Sequence, residues 1–101
     1  MAEISPVFDE TFGTLERAMQ VATLRQSVIA QNIANAKTPG YEAQTFDEQL
    51  MRAVKRQERK QVILEEELAS LTENSVKYSA YVKLMSSKIN VLRTIATQGR
   101  R

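Results

Sequence analysis

The feature that most constrains this chain is a long apolar row in its C-terminal third. Between Leu64 and Ala96 the row alternates in steps of four and three residues, with Ser75 as its one polar member. A repeat of about 3.5 residues held over this length keeps one seam of a helix against a partner helix and predicts a left-handed supercoil. Its members are Leu64, Leu68, Leu71, Ser75, Tyr78, Val82, Met85, Ile89, Leu92 and Ala96. We therefore predict a helix over residues 62–98.

A shorter row of the same period lies near the N-terminus and is interrupted once, at Gln26. Its members are Phe8, Phe12, Leu15, Met19, Ala22, Ile29 and Ile33. It predicts a helix over residues 7–36, with Ser5-Pro6 as a start signal, because proline is tolerated in the first turn. The predicted fold class is all-α: two long antiparallel helices in a coiled-coil-like hairpin, forming a single domain over residues 1–101.

The residues expected to pack the two helices together belong to these rows. On the first helix they are Leu15, Met19, Ala22 and Ile29. On the second they are Leu68, Leu71, Tyr78, Val82, Met85, Ile89 and Leu92. Each helix also carries a second apolar row: Val21, Leu24 and Val28 on the first, and Tyr81, Leu84, Val91 and Ile95 on the second. Two rows per helix predict more neighbours than one chain supplies.

The connector, residues 37–61, is predicted to be irregular or to contain a short third helix, because Phe46, Leu50 and Val54 recur every four residues. Such a helix would place five cations on one face: Arg52, Lys55, Arg56, Arg59 and Lys60. A basic face of this kind is one requirement of a nucleic-acid binder. No aromatic residue interleaves with it for stacking, so a solvated face is the favoured interpretation.

Composition argues against an enzyme. The chain has no cysteine and no histidine, which removes thiolate chemistry and the commonest general base. The run Glu65–Glu67 is interpreted as a helix start, because adjacent helical side chains diverge and three carboxylates in a row cannot converge on one site. We predict no catalytic residue, no metal site and no cofactor. The N-terminus lacks the pattern of a cleavable secretory signal, and no apolar run is long enough to span a membrane.

Charge is divided unevenly along the chain. Residues 1–50 hold three cationic and seven acidic side chains, and residues 51–101 hold eleven and five. Opposite halves of this kind pair within one molecule or between stacked copies. The polar interruptions Ser75 and Gln26 each admit two interpretations. The favoured one is a locally satisfied or hydrated side chain; the other is a buried group that fixes the helix register.

The most distinctive stretch is NIANAKTPGY, residues 32–41. Asn35 tolerates the backbone geometry of a helix end, and Thr38-Pro39-Gly40-Tyr41 predicts a type II turn in which glycine supplies a positive φ. A helix end and a turn account for this part of the stretch. They do not account for Asn32, one turn earlier, or for the tyrosine directly after the glycine.

These residues carry a family resemblance. A helix ending in this phrase resembles the signature of the bacterial flagellar rod, hook and hook-associated axial proteins. The matching positions are Asn32, Ile33, Ala34, Asn35, Thr38, Pro39, Gly40 and Tyr41, which we name the assembly motif. The second helix, above all Leu71 to Tyr78, is similar to that of a proximal rod member of the family. The resemblance covers residues 8–41 and 64–96, whereas the connector at 42–63 looks shorter than in most relatives.

The resemblance implies a structural subunit of the proximal rod of the flagellar basal body. Such a subunit is exported by the flagellar type III apparatus and polymerises in the periplasm through its N- and C-terminal helices into a helical tube. The implied partners are other copies of the chain, other rod proteins, the MS-ring–rod junction protein and the export gate, with no nucleic acid and no direct membrane insertion. A small basic nucleic-acid-binding protein and a soluble coiled-coil adaptor remain as alternatives.

Overall fold

The computed structural model describes residues 7–99, with side chains from residue 10 onward, as a long helix pair that carries a small β-hairpin. A π-helical turn, Val7–Phe12, runs into α1, Gly13–Ala34. The strands β1, Gln44–Asp47, and β2, Arg52–Lys55, follow, and α2, Leu64–Gly99, completes the chain. The described part measures 66 × 23 × 16 Å. The expected start signal at Ser5-Pro6 and the side chain of Phe8 lie outside the described residues.

The two helices are antiparallel. Asn32, near the C-terminal end of α1, hydrogen-bonds Glu67 in the first turn of α2, and Gln26 hydrogen-bonds Ser75 further along. At the opposite end, Leu15 and Leu84 line one groove. The predicted antiparallel pair of long helices is therefore present. None of the described helices is both long and apolar enough to cross a membrane.

The orientation of α2 about its own axis differs from the prediction. The side that meets α1 carries the buried polar residues Glu67 and Asn74, together with half-buried Leu71 and Met85. Of the predicted apolar row, only Leu71, Met85 and Leu92 are half-buried. The others, among them Leu68, Val82 and Ile89, are 46%, 37% and 40% exposed.

The all-α prediction is wrong for the connector, which forms a two-stranded antiparallel sheet. Its register pairs Gln44 with Lys55 and Asp47 with Arg52. One carboxylate oxygen of Asp47 accepts the backbone N–H groups of Gln49 and Leu50, both at 2.9 Å, and Met51 closes the turn with a φ of 53°. A four-residue apolar spacing alone could not reveal this turn, because it also fits a helix.

The hairpin covers the second apolar row of α1. Val21 and Val28 form a buried cluster with Phe46, and half-buried Leu24, Met51 and Ala53 pack against it. The Arg25 guanidinium lies 5.8 Å from the centre of the Phe46 ring and forms a 2.9 Å salt bridge with Glu48. The expectation that this row needs another subunit was wrong, because the chain supplies the cover itself.

The second row of α2 has no such cover. Leu84, Val91 and Ile95 are 54%, 57% and 53% exposed, and Tyr81 is half-buried. The predicted excess of apolar surface is therefore found on α2 and not on α1.

The predicted basic helix is also wrong. Its cations lie on a strand and in the coil after it, where three of them meet different carboxylates: Arg56 meets Glu67, Arg59 meets Glu66, and Lys60 meets Glu42. Arg52 and Lys55 are exposed on β2. The single basic face on which the nucleic-acid alternative depended is therefore not formed.

Candidate functional site: a polar hub at the end of α1

The end of α1 is followed by the predicted turn. Asn35 donates its side-chain amide to the Gln31 carbonyl at 2.9 Å and accepts a 3.2 Å hydrogen bond from the Thr38 hydroxyl. The Tyr41 N–H then donates to the Thr38 carbonyl at 3.1 Å, and Gly40 has a φ of 79°. A positive φ at the third residue of such a turn defines type II, so the turn prediction is confirmed.

Asn32 is completely buried, and each of its amide atoms makes two hydrogen bonds. Its Nδ2 donates to the Gln44 carbonyl at 2.8 Å and to Glu67 Oε1 at 3.0 Å. Its Oδ1 accepts the Gln44 N–H at 2.9 Å and the Tyr41 hydroxyl at 2.8 Å. An asparagine amide has two donors and an oxygen with two lone pairs, so its capacity is filled. The Asn32 side chain thus hydrogen-bonds both the C=O and the N–H of Gln44 at the start of β1, as the backbone of a neighbouring strand would.

Arg56 joins β2 to this cluster. Its Nη1 lies 3.2 Å from Glu67 Oε2, and its Nη2 donates to the Gln44 carbonyl at 3.2 Å. The Glu67 side chain is 5% exposed and that of Arg56 is 24% exposed, so the ion pair is largely withdrawn from water. We call Asn32, Tyr41, Gln44, Arg56 and Glu67 the polar hub. It joins α1, the turn, the hairpin and α2 at one point.

A second polar contact lies midway along the helix pair. Asn74 is buried and donates its amide to the Ala22 carbonyl at 2.7 Å and to Gln26 Oε1 at 2.8 Å. The Gln26 amide in turn donates to Ser75 Oγ at 3.2 Å. The two residues that interrupt the apolar rows therefore meet each other. Ser75 is exposed and Gln26 is half-buried, so neither is the buried group of the register interpretation; the buried member of this layer is Asn74.

The assembly motif is divided between two tasks in the structure. Asn32 and Tyr41 belong to the polar hub, whereas Asn35, Thr38, Pro39 and Gly40 build the turn that brings Tyr41 back to Asn32. Ile33 is half-buried and Ala34 is exposed. Asn32 and Tyr41, which a helix end and a turn left unexplained, are the two motif residues that reach into the hub.

The expected helix-packing residues fall into three groups by burial. Leu15, Ala22 and Ile29 of α1 are buried, and Met19 is half-buried. On α2, Leu71, Met85 and Leu92 are half-buried. The remaining four, Leu68, Tyr78, Val82 and Ile89, are exposed.

Glu67, Arg56, Gln44 and Asn74 were not singled out as site residues by the sequence. Glu67 was interpreted only as part of an acidic helix start and Arg56 only as part of a basic face. A usable signal did exist for the middle contact. Once the helices are aligned antiparallel, Gln26 and Ser75 fall opposite each other, which marks them and the neighbouring Asn74 as a polar layer.

The polar hub holds elements of the fold together and does not resemble a catalytic site. Within the described residues, every buried side-chain nitrogen or oxygen has a hydrogen-bond partner. The same part of the chain places no group of three or more acidic, cysteine or histidine side chains where they could hold a metal ion.

Burial raises the pKa of the Tyr41 hydroxyl above its ordinary value of 10.0. The Glu67 carboxylate raises this pKa further, and the Arg56 guanidinium partly offsets the increase. The native state therefore holds the phenolic proton more tightly than the unfolded state does. Its contribution to stability is fully present below about pH 10 and is lost as the pH rises through the native pKa.

We expect the Tyr41 phenolate to form only above pH 10, accompanied by loss of helical structure. The difference between the ultraviolet titrations of the wild-type chain and Tyr41→Phe isolates this phenol from the other two tyrosines. A difference curve with its midpoint at or below 10 would contradict the placement of the hydroxyl in the hub.

Gly40→Ala is expected to lower the free energy of unfolding by about 1–2 kcal/mol, because alanine is strained at a φ of 79°. Gly13→Ala is the matched control. Gly13 is helical and, as at Gly40, an added methyl group meets no atom within 4 Å. Alanine at Gly13 is expected to stabilise by about 0.5–1 kcal/mol. Urea unfolding followed by circular dichroism measures both, and equal effects at the two glycines would refute the turn assignment.

Comparison with known proteins finds similarity to flagellar basal body rod proteins. The family model described as "Flagella basal body rod protein" matches residues 12–41, which comprise the whole of α1 and the whole assembly motif. The chain is 28% identical to the flagellar basal body rod protein FlgB of Bacillus subtilis, over 93% of this chain and 98% of that protein. FlgB of Borrelia hermsii is 42% identical over 48% of this chain and 37% of its own length. FlgB of Aeromonas hydrophila is also 42% identical, over 40% of this chain and 30% of its own length.

Proposed function

The chain belongs to the flagellar basal body rod proteins, and from that premise we propose that it is a subunit of the proximal rod that polymerises through its two long helices. It is a structural protein of the flagellar basal body, not an enzyme, and it assembles with other rod and basal body components. The proposal adds three points: the chain forms the proximal segment of the rod, it polymerises through a surface on α2, and it is exported before it assembles.

The observation that carries the proposal is the uncovered apolar ridge of α2, which we define as Leu68, Val82 and Ile89. These side chains belong to the longest apolar row of the chain, yet they remain 37–46% exposed. Burial of apolar surface contributes roughly 25 cal/mol per Å² removed from water. The exposed part of the ridge contributes this burial free energy only when another subunit covers it.

The polar hub supports the same function by fixing the path of the connector. Because Asn32 and Glu67 hold the hairpin against α1, the hairpin stays on one side of the helix pair. The assembly motif would thus end α1 sharply and keep the connector clear of the next subunit. If Pro39→Ala combined with Gly40→Ala left rod assembly unchanged, this role of the motif would be refuted.

The remaining parts of the proposal concern delivery and neighbours. We propose export through the flagellar type III apparatus and assembly in the periplasm, in contact with other rod proteins, the MS-ring–rod junction protein and the export gate. A chain without cysteine suits this route, because no thiol can be trapped by oxidation after export.

The ridge itself can be tested with the triple variant Leu68→Ser, Val82→Ser and Ile89→Ser. We expect cells carrying it in place of the native gene to lose swimming. Because each side chain is more than half buried, the substitutions should also lower the free energy of unfolding by roughly 1 kcal/mol each, and circular dichroism must show that the variant is still folded. Leu50→Ser is the matched control, since Leu50 is 54% exposed at the hairpin tip, away from the ridge.

Swimming by the triple variant would refute polymerisation through α2. Sedimentation of the purified chain with and without other rod proteins separates a rod subunit from a coiled-coil adaptor. The adaptor would keep one oligomer number under both conditions.

A further inference from the structure

The β-hairpin leaves one edge of its sheet without a partner strand, because β1 pairs with β2 on one side only. In an antiparallel pair, residues that bond the partner strand alternate with residues whose N–H and C=O groups point to the other edge. Arg56 donates its N–H to the Ala43 carbonyl, so Ala43 and every second residue after it bond β2. The N–H and C=O groups of Gln44 and Phe46 therefore point to the free edge of β1.

The two positions on this free edge differ in what they bond. The N–H and C=O of Gln44 are both taken by the Asn32 side-chain amide, at 2.9 and 2.8 Å. Within the described residues, Phe46 forms no hydrogen bond at this edge. Asn32 thus occupies the first pairing position of a third strand and leaves the second open. An open strand edge pairs readily with an extended segment of another chain.

The open position faces a cleft of about 380 Å³ between β1 and α2. Its lining includes Thr45 and Phe46 of β1, Val28 of α1, and Ser70 and Lys77 of α2. A single turn of an α-helix, about 10 Å wide and about 5.4 Å long, already exceeds this volume. About two or three residues of an extended strand, each roughly 3.3 Å long, 4.8 Å wide and 10 Å deep, fit within it. The cleft therefore suits a strand and not a helix.

A second cleft, of about 290 Å³, continues from the first toward the N-terminal end of α1. The two clefts share Arg25, Glu48 and Lys77 in their linings, and the second extends to Arg17. β1 runs in the same direction, since the carbonyl of Glu48, directly after the strand, accepts a 3.4 Å hydrogen bond from Arg17. A segment paired with β1 would therefore have one end beside Arg17.

The cations that line the first cleft are already neutralised by carboxylates. They form three salt bridges: Arg25 with Glu48 at 2.9 Å, Arg56 with Glu67 at 3.2 Å, and Lys77 with Glu73 at 3.4 Å. A charged side chain placed among them would meet a like charge and compete with an existing pair. The part of the segment beside Phe46 is therefore expected to be uncharged.

Arg17 differs from these three cations. It is exposed, and within the described part of the chain it forms no salt bridge. An acidic residue at the end of the segment beside Arg17 would complement this charge, as opposite charges at the rim of an interface do. Charge thus predicts the order of residues in the segment.

We propose that the free edge of β1 takes a third strand from another protein, with uncharged residues beside Phe46 and a carboxylate beside Arg17. The described coil segments of this chain are unsuited to the role. Residues 35–43 are held by the turn and the polar hub, and the cations of residues 56–63 meet carboxylates. The choice of partner rests on the proposed function, because a rod subunit meets other basal body proteins. The surface itself is separate from the ridge on α2.

Peptide binding to the full-length chain tests the proposal. The probes are overlapping peptides of about twelve residues, which cover the other basal body proteins of the same bacterium and, as a separate set, this chain itself. Fluorescence anisotropy measures the binding of each labelled peptide. We expect at least one peptide from a different protein to bind, with an uncharged stretch followed or preceded by an acidic residue.

Pairing through the main chain is tested by N-methylation of the binding peptide at alternate residues. Only one of its two alternating sets of N–H groups faces β1, so methylation of that set should weaken binding at least about tenfold. Methylation of the other set is the matched control. It adds the same groups on the side away from β1 and should weaken binding much less.

A tryptophan placed in the cleft tests the site on the chain. Ser70→Trp should abolish peptide binding, because the indole fills the space beside β1. Ser79→Trp is the matched control, since Ser79 is exposed like Ser70 but lines a different groove between the helices. Circular dichroism of both variants checks that the fold is retained.

Charge reversal gives a measurement that leaves the space in the cleft unchanged. Arg17→Glu should weaken binding of the acidic peptide about threefold, because exposed ion pairs contribute little. A peptide with lysine in place of its acidic residue should bind Arg17→Glu better than it binds the wild-type chain.

Four outcomes overturn the inference: no peptide binds, only peptides of this chain bind, both methylated peptides bind as well as the parent, or Ser70→Trp binds like Ser79→Trp. Each of them leaves the role in the rod intact. That role fails by a separate observation, namely that cells deleted for the gene still swim.

Discussion

Replacement of Asn32 by alanine is expected to lower the free energy of unfolding by about 3–4 kcal/mol and to abolish swimming. The reason is that one substitution removes four hydrogen bonds from a fully buried side chain. The Gln44 N–H, the Tyr41 hydroxyl and the Glu67 carboxylate would each lose a partner, the carboxylate at a buried site and the other two at half-buried ones. Because a small domain has only about 5–15 kcal/mol of stability, the loss is a large fraction of the total. Urea unfolding followed by circular dichroism measures it.

Asn35→Ala is the matched control, because it alters the same residue type in the same motif. The Asn35 side chain bonds only to neighbours within the helix end and the turn, so we expect a cost of about 0.5–1 kcal/mol. Asn32→Asp is a sharper test. It preserves shape but replaces the amide that donates to Glu67 with a second carboxylate, and should cost at least as much as alanine. Equal effects at Asn32 and Asn35 would show that the hub does not hold the fold together.

The helices and the turn could be predicted because their signals are local. The four-and-three alternation from Leu64 to Ala96 lies within α2, and the antiparallel arrangement follows from two such rows joined by a short connector. Pro39 and Gly40 define a turn through their own backbone preferences, which act whatever surrounds them. The observed φ of Gly40 is the value that such a turn requires.

The hairpin could not be predicted in the same way. Strands of four residues are too short to show a period of two, and the spacing of Phe46, Leu50 and Val54 fits a helix equally well. What stabilises the strands is contact with α1, through the burial of Phe46 against Val21 and Val28. This is a tertiary effect, and it also explains why Met51 adopts a positive φ that its side chain disfavours: the side chain packs on the same cluster.

The rotation of α2 was missed because two neighbouring rows share the same period. One row contains Leu68, Val82 and Ile89; the other contains Glu67 and Asn74 at positions one residue earlier. Apolar content alone favours burying the first. Asn32 and Gln26 on α1 need hydrogen-bond partners, however, and Glu67 and Asn74 of the second row provide buried ones. The polar contacts therefore favour the side of α2 that meets α1, and they leave exposed the apolar ridge that we propose as the surface for assembly.

Loss of Arg56 and loss of Glu67 are expected to lower the free energy of unfolding by different amounts. Arg56→Met leaves the Glu67 carboxylate buried, with the Asn32 amide as its remaining hub partner, and should cost about 3–5 kcal/mol. Glu67→Met leaves the Arg56 guanidinium, which is a quarter exposed and can turn to water, but it also removes one acceptor from the buried Asn32 amide, so we expect about 2–3 kcal/mol. Arg59→Met is the matched control. Its ion pair with Glu66 is exposed on both sides and should contribute less than about 1 kcal/mol.

The double variant Arg56→Met with Glu67→Met separates the ion pair from the packing around it. Because it leaves no unpaired buried charge, its cost should be smaller than that of Arg56→Met alone, which strict additivity forbids. If the two single costs simply add, the charges do not interact and the hub depends on Asn32 alone. If the expected coupling is found, Arg56 ties β2 to the first turn of α2, so the hairpin and the helix pair unfold as one unit. The ridge on α2 that we propose as the assembly surface then keeps a fixed orientation relative to the hairpin.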